Sequence, residues 1–381
     1  MDILKLNKIA SCGTDCFDTD RYNCCDECEN PDAILVRSAN MHEMDFKDKL
    51  LAIGRAGAGT NNIPIELCSN KGIAVFNTPG ANANAVKELV VCAALLSSRK
   101  IAASIDWCKT LKGEGDNVGK LVEKGKSQFK GPEIKGKTMG VIGLGAIGEL
   151  VANAAVSLGM RVIGYDPFLS VAGALNLTPC VNVTKDIDEV YKNADYITLH
   201  VPATPETTAM ICKQSIEKMK TGARILNFAR GTLVNTADII EALKDNKLSA
   251  YITDFPTDDL IGAEGVTVLP HLGASTPESE DNCAVMAAHE LIDYLETGAI
   301  KNSVNLPDTA LPASFKNRVC VIYKDEEGVQ GKIMAQISKN SVSFMTSSTK
   351  KGMGYLAADT TTAIDIASIE AIEGVVRVRT L

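Results

Sequence analysis

Apolar residues along most of the chain alternate between short β-branched runs and longer stretches with helical spacing. Such an alternation is typical of a parallel sheet covered by helices. In the N-terminal third it predicts buried strands at 33–37 and 73–77 and one long helix over 84–107. The polar, glycine-rich stretch 109–131 is predicted to form an arm without a hydrophobic core of its own.

A second, more regular series begins at Lys137. Thr276 is a capping residue, Pro277 suits a first helical turn and Gly298 ends the pattern, so a helix is predicted from 277 to about 296. The apolar runs before it predict six strands, with helices or loops between them, at 138–142, 161–165, 196–201, 224–228, 250–254 and 266–269.

The last part of the chain has a different character. Pro307 and Pro312 stand among polar residues, which predicts a linker over 302–317. The order of elements after the linker is βαββαβ, which is typical of a small ferredoxin-like domain. These elements are predicted at 318–323, 328–339, 342–347, 353–359, 363–372 and 375–380.

Composition narrows the class of protein. With 381 residues, 45% of them hydrophobic and 23% charged, the chain is expected to form two or three globular domains. The longest apolar run, 89–96, is too short to cross a membrane, and the first residues lack the features of a targeting peptide, so a cytoplasmic protein is expected. A net charge of −8 argues against nucleic acid or a membrane as a partner.

Twelve cysteines are present, and five of them lie near the N-terminus: Cys12, Cys16, Cys24, Cys25 and Cys28. Without an export signal they are expected to be free thiols. A zinc site would need two C-x-x-C pairs, but only Cys25 and Cys28 have that spacing. No metal is predicted, and a redox pair is the remaining alternative.

The segment 143–148 has the pattern G-x-G-x-x-G between a predicted strand and a predicted helix, which is the context of a dinucleotide-binding turn. Gly143 would permit the tight turn, Gly145 the approach of a pyrophosphate, and Gly148 close packing of helix and strand. Asp166 ends the next strand, where a carboxylate binds ribose hydroxyls and repels a 2′-phosphate. The cofactor is therefore predicted to be NAD.

Polar groups follow other strands of the same predicted sheet, at 200–202, 227–231 and 270–276. Ligands of open α/β sheets bind beyond the carboxyl ends of strands, so these groups can converge. The glycine pattern, the Asp, N-x-x-R-G, an acidic stretch and P-H-x-G-x-S-T follow one another in an order that resembles the D-isomer-specific 2-hydroxyacid dehydrogenase family. The resemblance covers essentially the whole chain, and the tail resembles an ACT regulatory domain.

The resemblance implies an α/β fold with two Rossmann-like, doubly wound parallel-sheet domains and a small βαββαβ, ferredoxin-like ACT-type domain. It implies a substrate-binding domain at 1–98 and 277–304, an NAD-binding domain at 99–276, a linker at 305–316 and an ACT-like domain at 317–381.

The resemblance also implies an activity: NAD-dependent oxidation of a small anionic 2-hydroxy acid, in the first place 3-phospho-D-glycerate to 3-phosphohydroxypyruvate, in serine biosynthesis. One alternative is another member activity, reduction of glyoxylate or hydroxypyruvate. A second alternative is a non-catalytic protein of this fold that binds NADH and responds to it. Self-association as a homodimer or homotetramer is expected from the family. The tail lacks the family's serine-binding turn at 323–328 and is expected to serve oligomerisation first.

In the implied chemistry His271 is the base that exchanges the hydroxyl proton, and Arg230 binds the substrate carboxylate. The family pattern also has a Glu that pairs with the His, and this chain has none. Counting from Arg230 favours Asp259 in its place, whereas aligning the residues after Asp254 favours Asp258; a solvated acidic turn is the alternative.

The resemblance also implies which residues contact the cofactor and the substrate, because their positions match those of the family motifs. The implied cofactor contacts are Gly143, Gly145, Ala146, Ile147, Gly148, Asp166, His200, Val201, Pro202, Thr207, Ala229, Asp254 and Gly273. Asp254 is expected to contact the nicotinamide amide, with His271 as its alternative partner. The implied substrate contacts are Arg37, Ser38, Arg55, Gly57 and Asn82, and for each cation a solvated surface position is the alternative.

Overall fold

The computed structural model describes residues 1–313 and 315–381. The chain divides into two compact units, the first formed by Met1–Asn82 with Thr276–Leu381 and the second by Ala83–Ser275. The predicted boundary after residue 98 differs from this division, because the helix Ala83–Arg99 packs its apolar face on the core of the second unit.

The first unit contains a parallel sheet with the strand order β2-β1-β3-β4-β5. Its strands are β1 (Asp2–Leu6), β2 (Asn23–Cys25), β3 (Ala33–Val36), β4 (Ala52–Arg55) and β5 (Ala74–Asn77), and the helices of this part are α1 (Ser11–Thr14) and α2 (Ile65–Asn70). The predicted strands at 33–37 and 73–77 are confirmed as β3 and β5. The strands β1, β2 and β4 were not predicted.

The second unit contains a parallel sheet with the order β12-β11-β10-β9-β6-β7-β8. Its strands are β6 (Thr138–Ile142), β7 (Arg161–Tyr165), β8 (Val181–Thr184), β9 (Tyr196–Leu199), β10 (Ala223–Asn227), β11 (Leu248–Thr253) and β12 (Val266–Val268). Its helices are α3 (Ala83–Arg99), α4 (Ile101–Thr110), α5 (Val118–Gly125), α6 (Ala146–Ser157), α7 (Val171–Asn176), α8 (Ile187–Asn193), α9 (Lys213–Lys218) and α10 (Thr236–Lys244). The six predicted strands are confirmed, and the edge strand β8 was missed.

The prediction of one helix over 84–107 is wrong. The helix ends at Arg99 and a new one begins at Ile101, because Lys100 has a left-handed backbone conformation with φ of 50°. No residue of α4 or α5 is buried. The segment after α3 therefore lies outside the hydrophobic core, as predicted for the arm.

The first unit also contains the long helix α11 (Pro277–Thr297). The side chain of Thr276 accepts a hydrogen bond from the Ser279 N–H at its start, and Gly298 ends it with φ of 75°. The predicted helix and both of its termini are confirmed. The buried face of α11 packs on β4 and β5.

The tail folds as a four-stranded antiparallel sheet with the order β14-β15-β13-β16 and βαββαβ connections, as predicted for a ferredoxin-like fold. One face of the sheet packs on its own helices, and the other shares a core cluster with Leu291 and Tyr294 of α11. The elements are β13 (Asn317–Lys324), α12 (Val329–Ile337), β14 (Val342–Lys350), β15 (Met353–Thr360), α13 (Ile366–Glu370) and β16 (Val375–Thr380).

The start of the predicted linker is not a free linker. Ser303, Asn305 and Leu306 are buried. The Asn305 side chain accepts a hydrogen bond from the Val75 N–H at 2.9 Å and donates to the Ile73 carbonyl at 2.9 Å. This segment is therefore attached to the edge of the first sheet. The prediction of a linker beginning at 302 or 305 needs this correction, because the polar side chains replace a neighbouring strand.

All twelve cysteines are free thiols. In residues 1–313 and 315–381, no helix is both long and apolar enough to cross a membrane. Within the same residues, no group of His, Cys, Asp and Glu side chains has an arrangement that could hold a metal ion.

Candidate functional site

The glycine turn lies at the carboxyl end of β6. The Gly143 N–H donates to the carbonyl of Tyr165 at 2.8 Å, and Gly143 has φ of 91°. A Cβ at this position would lie 2.4 Å from the carbonyl oxygen of His200. Both observations require glycine here, because an L side chain would meet backbone strain and a backbone clash together.

The other two glycines of the pattern have opposite surroundings. A Cβ on Gly148 would lie 1.9 Å from the Gly143 carbonyl oxygen, so the start of α6 packs directly on the turn. A Cβ on Gly145 would meet no atom within 4 Å. Gly145 is the N-cap of α6, and Ala146 and Ile147 follow in the first turn, whose N–H groups have no partners inside the helix. This open space beside free donors fits a pyrophosphate.

Asp166 follows β7 and lies against the same turn. Its Oδ2 accepts a hydrogen bond from the Leu144 N–H at 2.9 Å, and its Oδ1 accepts one from the Phe168 N–H at 2.8 Å. Each oxygen of an ionised carboxylate can accept a second hydrogen bond. The carboxylate is thus held beside the glycine turn with acceptor capacity left for ribose hydroxyls.

Hydrogen bonds between residues of the segment 198–207 stabilise the loop after β9. The His200 ring is bonded to Thr198 Oγ1 at 2.9 Å, and burial lowers the pKa of His200 to about 3, so the imidazole is neutral at physiological pH. The Thr207 hydroxyl donates to the Pro202 carbonyl at 2.6 Å and accepts from the Thr204 N–H at 2.8 Å. Thr207 therefore fastens this loop, and half-buried Val201 packs against the core below it.

Asn227 organises the turn that carries Arg230. The Asn227 side chain is fully buried, its amide donates to the Arg230 carbonyl at 2.9 Å, and its Oδ1 accepts from the Ala229 N–H at 3.2 Å. The Arg230 side chain is exposed, and its guanidinium donates to the Ala229 carbonyl at 2.6 Å. Asn227 thus fixes the backbone from which Arg230 extends.

His271 lies in a tight turn after β12 and has φ of 48°, a conformation that non-glycine residues rarely adopt. Its N–H donates to the Asp254 carbonyl at 3.0 Å, and its ring meets the Phe255 ring edge-on, with the centroids 5.0 Å apart. Asp254 is 1% exposed, and its Oδ2 accepts a hydrogen bond from the Gly273 N–H at 3.1 Å.

A cavity of about 260 Å³ opens beside these residues. It is lined by His271, Asp254, Pro270 and Gly231, together with Tyr251 and the segment 255–257. Burial raises the pKa of Asp254, while the Gly273 N–H and the charges of His271 and Arg230 act in the opposite direction. The carboxylate, the imidazole and the guanidinium are therefore near enough to influence one another.

Asp258 and Asp259, the two candidates for the acidic partner of His271, are both exposed. The cavity is lined by Thr257 and Leu260 on either side of them, but by neither aspartate. Of the three aspartates, only Asp254 is among the residues that line the cavity together with His271.

The proposed substrate contacts of the first unit gather at the carboxyl edge of its sheet. In the strand register Arg55 pairs with Val36, the residue before Arg37, and with Asn77. Arg37 forms an ion pair with Glu280, with Nη1 and Oε2 2.8 Å apart, and Arg55 donates to Asn62 Oδ1 at 3.1 Å.

The other predicted contacts lie close by along the chain. Ser38 is exposed, its N–H donates to Asn7 Oδ1 at 3.0 Å, and Asn82 is half-buried. The Gly57 carbonyl accepts a hydrogen bond from the Thr78 N–H at 3.2 Å. Thr78 is fully buried, and its hydroxyl has no partner in the described part of the chain. Thr78 directly follows the strand end at Asn77.

Three comparisons with known proteins bear on this site. Residues 91–273 match the family model described as "D-isomer specific 2-hydroxyacid dehydrogenase, NAD binding domain". The chain is 36% identical to D-3-phosphoglycerate dehydrogenase of Methanocaldococcus jannaschii over 82% of this chain and 59% of that protein. It is 31% identical to D-3-phosphoglycerate dehydrogenase of Dictyostelium discoideum over 86% of this chain and 83% of that protein.

Among solved structures, the chain resembles the NAD⁺-bound 3-phosphoglycerate dehydrogenase of Entamoeba histolytica. The two are 29% identical, the TM-score is 0.63, and the match covers 80% of this chain and 98% of that one. The chain spans less than two thirds of the length of several curated relatives, for example 53% of the relative from Archaeoglobus fulgidus.

Proposed function

The chain belongs to the D-isomer specific 2-hydroxyacid dehydrogenase family, and on that premise we propose that it oxidises 3-phospho-D-glycerate to 3-phosphohydroxypyruvate with NAD. The single observation that carries the proposal is the position of His271 and Asp254 on a cavity at the carboxyl end of the NAD-binding sheet, where the charge of Arg230 also acts. The relatives' names supply the choice of substrate.

The residues of the glycine turn fit the cofactor that this family domain binds. The open space at Gly145 and the free N–H groups of Ala146 and Ile147 would hold the pyrophosphate, and Asp166 would bind the ribose hydroxyls. A carboxylate at this place repels a 2′-phosphate, which favours NAD over NADP. When bound, NAD accepts the hydride from C2 of the substrate.

In the proposed reaction a ring nitrogen of His271 accepts the proton of the C2 hydroxyl while the hydride leaves C2, so that a carbonyl forms. Arg230 binds the C1 carboxylate with its planar guanidinium, which holds C2 in one orientation. The first unit supplies the proposed phosphate ligands, Arg37 and Arg55, with Ser38, Gly57 and Asn82 as further substrate contacts. Arg37 has to exchange its bond to Glu280 for one to the phosphate.

The ion pair of Arg37 with Glu280 favours a second candidate, the reduction of an unphosphorylated acid such as glyoxylate or hydroxypyruvate. In that case Arg37 stabilises the fold through its ion pair with Glu280 and does not bind a phosphate. The chemistry at His271 and Arg230 would be the same for both substrates.

The proposal also covers the pathway, the cellular location and the oligomeric state of the enzyme. The product would enter serine biosynthesis, and the proposed location is the cytoplasm. A homodimer or homotetramer is proposed, since Ile101, Ile105 and Val118 on the helices of the arm are exposed apolar side chains. The tail is proposed to contribute to this assembly.

The test is NADH consumption by the purified protein with 3-phosphohydroxypyruvate, hydroxypyruvate or glyoxylate. The proposal expects a preference for the phosphorylated acid. It also expects Arg37→Ala and Arg55→Ala to raise KM for that acid at least tenfold, with KM for hydroxypyruvate changed less than twofold. Equal rates with all three acids would support the second candidate. NADH binding without any turnover would contradict both and indicate a binding protein.

A further inference from the structure

We infer that a groove between the last strand of the tail and the first sheet is a second small-molecule site, which binds a small anion with two or more negative charges. Phosphorylated metabolites and tricarboxylic acids have this chemistry. The inference goes beyond the proposed function, because none of the residues concerned is a proposed cofactor or substrate contact. It is carried by the groove itself, by three cations in its lining and by the outer edge of β16.

The groove has a volume of about 620 Å³ and lies entirely within the first compact unit. Sites for small molecules in proteins commonly enclose roughly 300–1,000 Å³. The strand β16 contributes five residues to the lining, and the others come from the end of α13, the end of α2 and the segment before β4. A bound molecule would therefore contact the tail and the first sheet together. The lining residues are Asp48, Leu51, Asn70, Lys71, Glu370 and Val375–Arg379.

Three cations line the groove, namely Lys71, Arg377 and Arg379, and all three are half-buried. In residues 1–313 and 315–381, none of them forms an ion pair with a carboxylate. Their side chains donate to backbone carbonyls instead. The acceptors are the carbonyls of Phe46 for Lys71, of Leu50 and Asp48 for Arg377, and of Tyr294 and Leu295 for Arg379.

Carbonyl oxygens satisfy single N–H donors, but they carry only partial charge and leave the positive charges uncompensated. Arg377 and Arg379 are two residues apart on one strand, so their side chains extend from the same face of the sheet. Burial lowers the pKa of Arg377, and the charge of Arg379 acts in the same direction, whereas Tyr294 and Asp48 act in the opposite direction. Like charges in this position favour an anion beside them.

The outer edge of β16 adds a backbone donor, because β16 is the last strand in the order of its sheet. Leu381 exchanges both backbone hydrogen bonds with Arg318 of β13. In antiparallel strands such pairs alternate with pairs that form no hydrogen bonds, so Arg379 and Arg377 direct their N–H groups to β13. The N–H of Val378, between them, points to the outer edge, where Val378 lines the groove.

Two acidic residues of the lining, Asp48 and Glu370, are both exposed. The charges of exposed side chains are strongly screened by water and salt, whereas the charges of half-buried side chains are screened less. The three cations therefore determine the sign of the potential in the groove. A guanidinium group binds the oxygens of a phosphate or a carboxylate with two parallel hydrogen bonds, which specifies the chemical class of the ligand.

The experiment is isothermal titration calorimetry of the full chain with inorganic phosphate and, separately, with citrate. We expect at least one of these anions to bind with a Kd of about 1 mM or lower. Arg377→Gln and Lys71→Gln are expected to weaken this binding about tenfold, because each removes charged donors. Glu370→Gln should strengthen it about twofold, since a screened negative charge is removed. The matched control is Lys332→Gln, which should bind like the wild type because Lys332 is an exposed cation of the tail outside the groove.

Binding of phosphate alone would identify the ligand as a phosphorylated molecule, and binding of citrate alone would identify it as a polycarboxylic acid; either result supports the inference. If neither anion binds, or if Lys71→Gln binds both as tightly as the wild type, the inference is wrong. Phosphate binding that is lost in Arg37→Ala but kept in Lys71→Gln would locate the phosphate at the proposed substrate site and also overturn it.

Two features keep this test decisive. If Arg377→Gln does not fold, the opposite shifts expected for Lys71→Gln and Glu370→Gln decide in its place. The titrations measure binding and not turnover, so a failure of the proposed function leaves their outcome unaffected.

Discussion

Arg318 and Asp359 form a two-point ion pair inside the tail, with Nε to Oδ1 at 2.5 Å and Nη2 to Oδ2 at 2.7 Å. Their side chains are 0% and 7% exposed. The remaining donors of Arg318 reach the carbonyls of Thr297, at the end of α11, and Pro312, both at 2.8 Å. One guanidinium therefore joins two strands of the tail to the long helix of the same unit.

Removing the charge of Asp359 should destabilise the first unit strongly. Asp359→Asn leaves Arg318 buried without a counter-charge, which costs about 3–5 kcal/mol for pairs of this kind. The measurement is the free energy of unfolding in urea. Asp45→Asn is the matched control, since the Lys47–Asp45 pair belongs to the same unit but is exposed. Equal losses in the two variants would show that burial of the Arg318 pair is not the cause.

The tail is held to α11 by more than this pair. The Arg379 guanidinium donates to the carbonyls of Tyr294 and Leu295 at 3.3 and 3.0 Å, and the Tyr355 hydroxyl donates to the Gly298 carbonyl at 2.6 Å. The last carbonyls of a helix have no partners within it and carry partial negative charge. Arg379 supplies the Leu295 carbonyl with a donor and adds a second donor to the Tyr294 carbonyl, which also accepts the Gly298 N–H, so these bonds attach the tail to the end of α11.

Glu290 should make the stability of the protein fall as pH rises. Burial raises the pKa of Glu290 to about 8, and its Oε2 has no hydrogen-bond partner among residues 1–313 and 315–381. Between pH 4.5 and 8 the folded state then holds a proton that the unfolded state has lost. The free energy of unfolding is expected to decrease by up to about 1.4 kcal/mol per pH unit in this window. Urea unfolding at several pH values measures the slope.

Glu290→Gln should flatten this dependence, because an amide does not titrate. Glu278→Gln is the control, since Glu278 lies in the first turn of the same helix and is exposed. A slope that persists in Glu290→Gln would assign the pH dependence to another group.

The parts of the fold that could be predicted from the sequence are those whose conformation is specified by residues close together in the chain. The glycine turn, the strand before it and the caps of α11 depend on residues within a few positions of one another, so their types specify the conformation. The edge strand β8 has two exposed residues in its middle and lacks the apolar run that marks a buried strand.

The parts that were missed depend on distant partners. Lys100 has a left-handed backbone although neither Gly nor Pro is near it. Asn305 has a polar, loop-like neighbourhood, yet its amide replaces a strand beside β5. In the candidate site the types of Arg230 and His271 were recognisable, but the acidic partner was not. Sequence spacing favoured the two aspartates after Thr257, which are exposed, whereas Asp254 is buried, and a difference in burial has no signal in the spacing.

Alanine substitutions at Gly148 and Gly145 distinguish the contribution of the glycine turn to folding from its contribution to cofactor binding. Gly148→Ala places a methyl group against the Gly143 carbonyl and is expected to destabilise the second unit by about 1–3 kcal/mol. Gly145→Ala adds the same methyl group to open space at a φ of −72°, which alanine adopts without strain, so its thermal unfolding should match the wild type. Because that space is the proposed pyrophosphate site, NADH should bind Gly145→Ala at least tenfold more weakly, measured by NADH fluorescence. Unchanged NADH affinity in a folded Gly145→Ala variant would mean that the phosphates lie elsewhere.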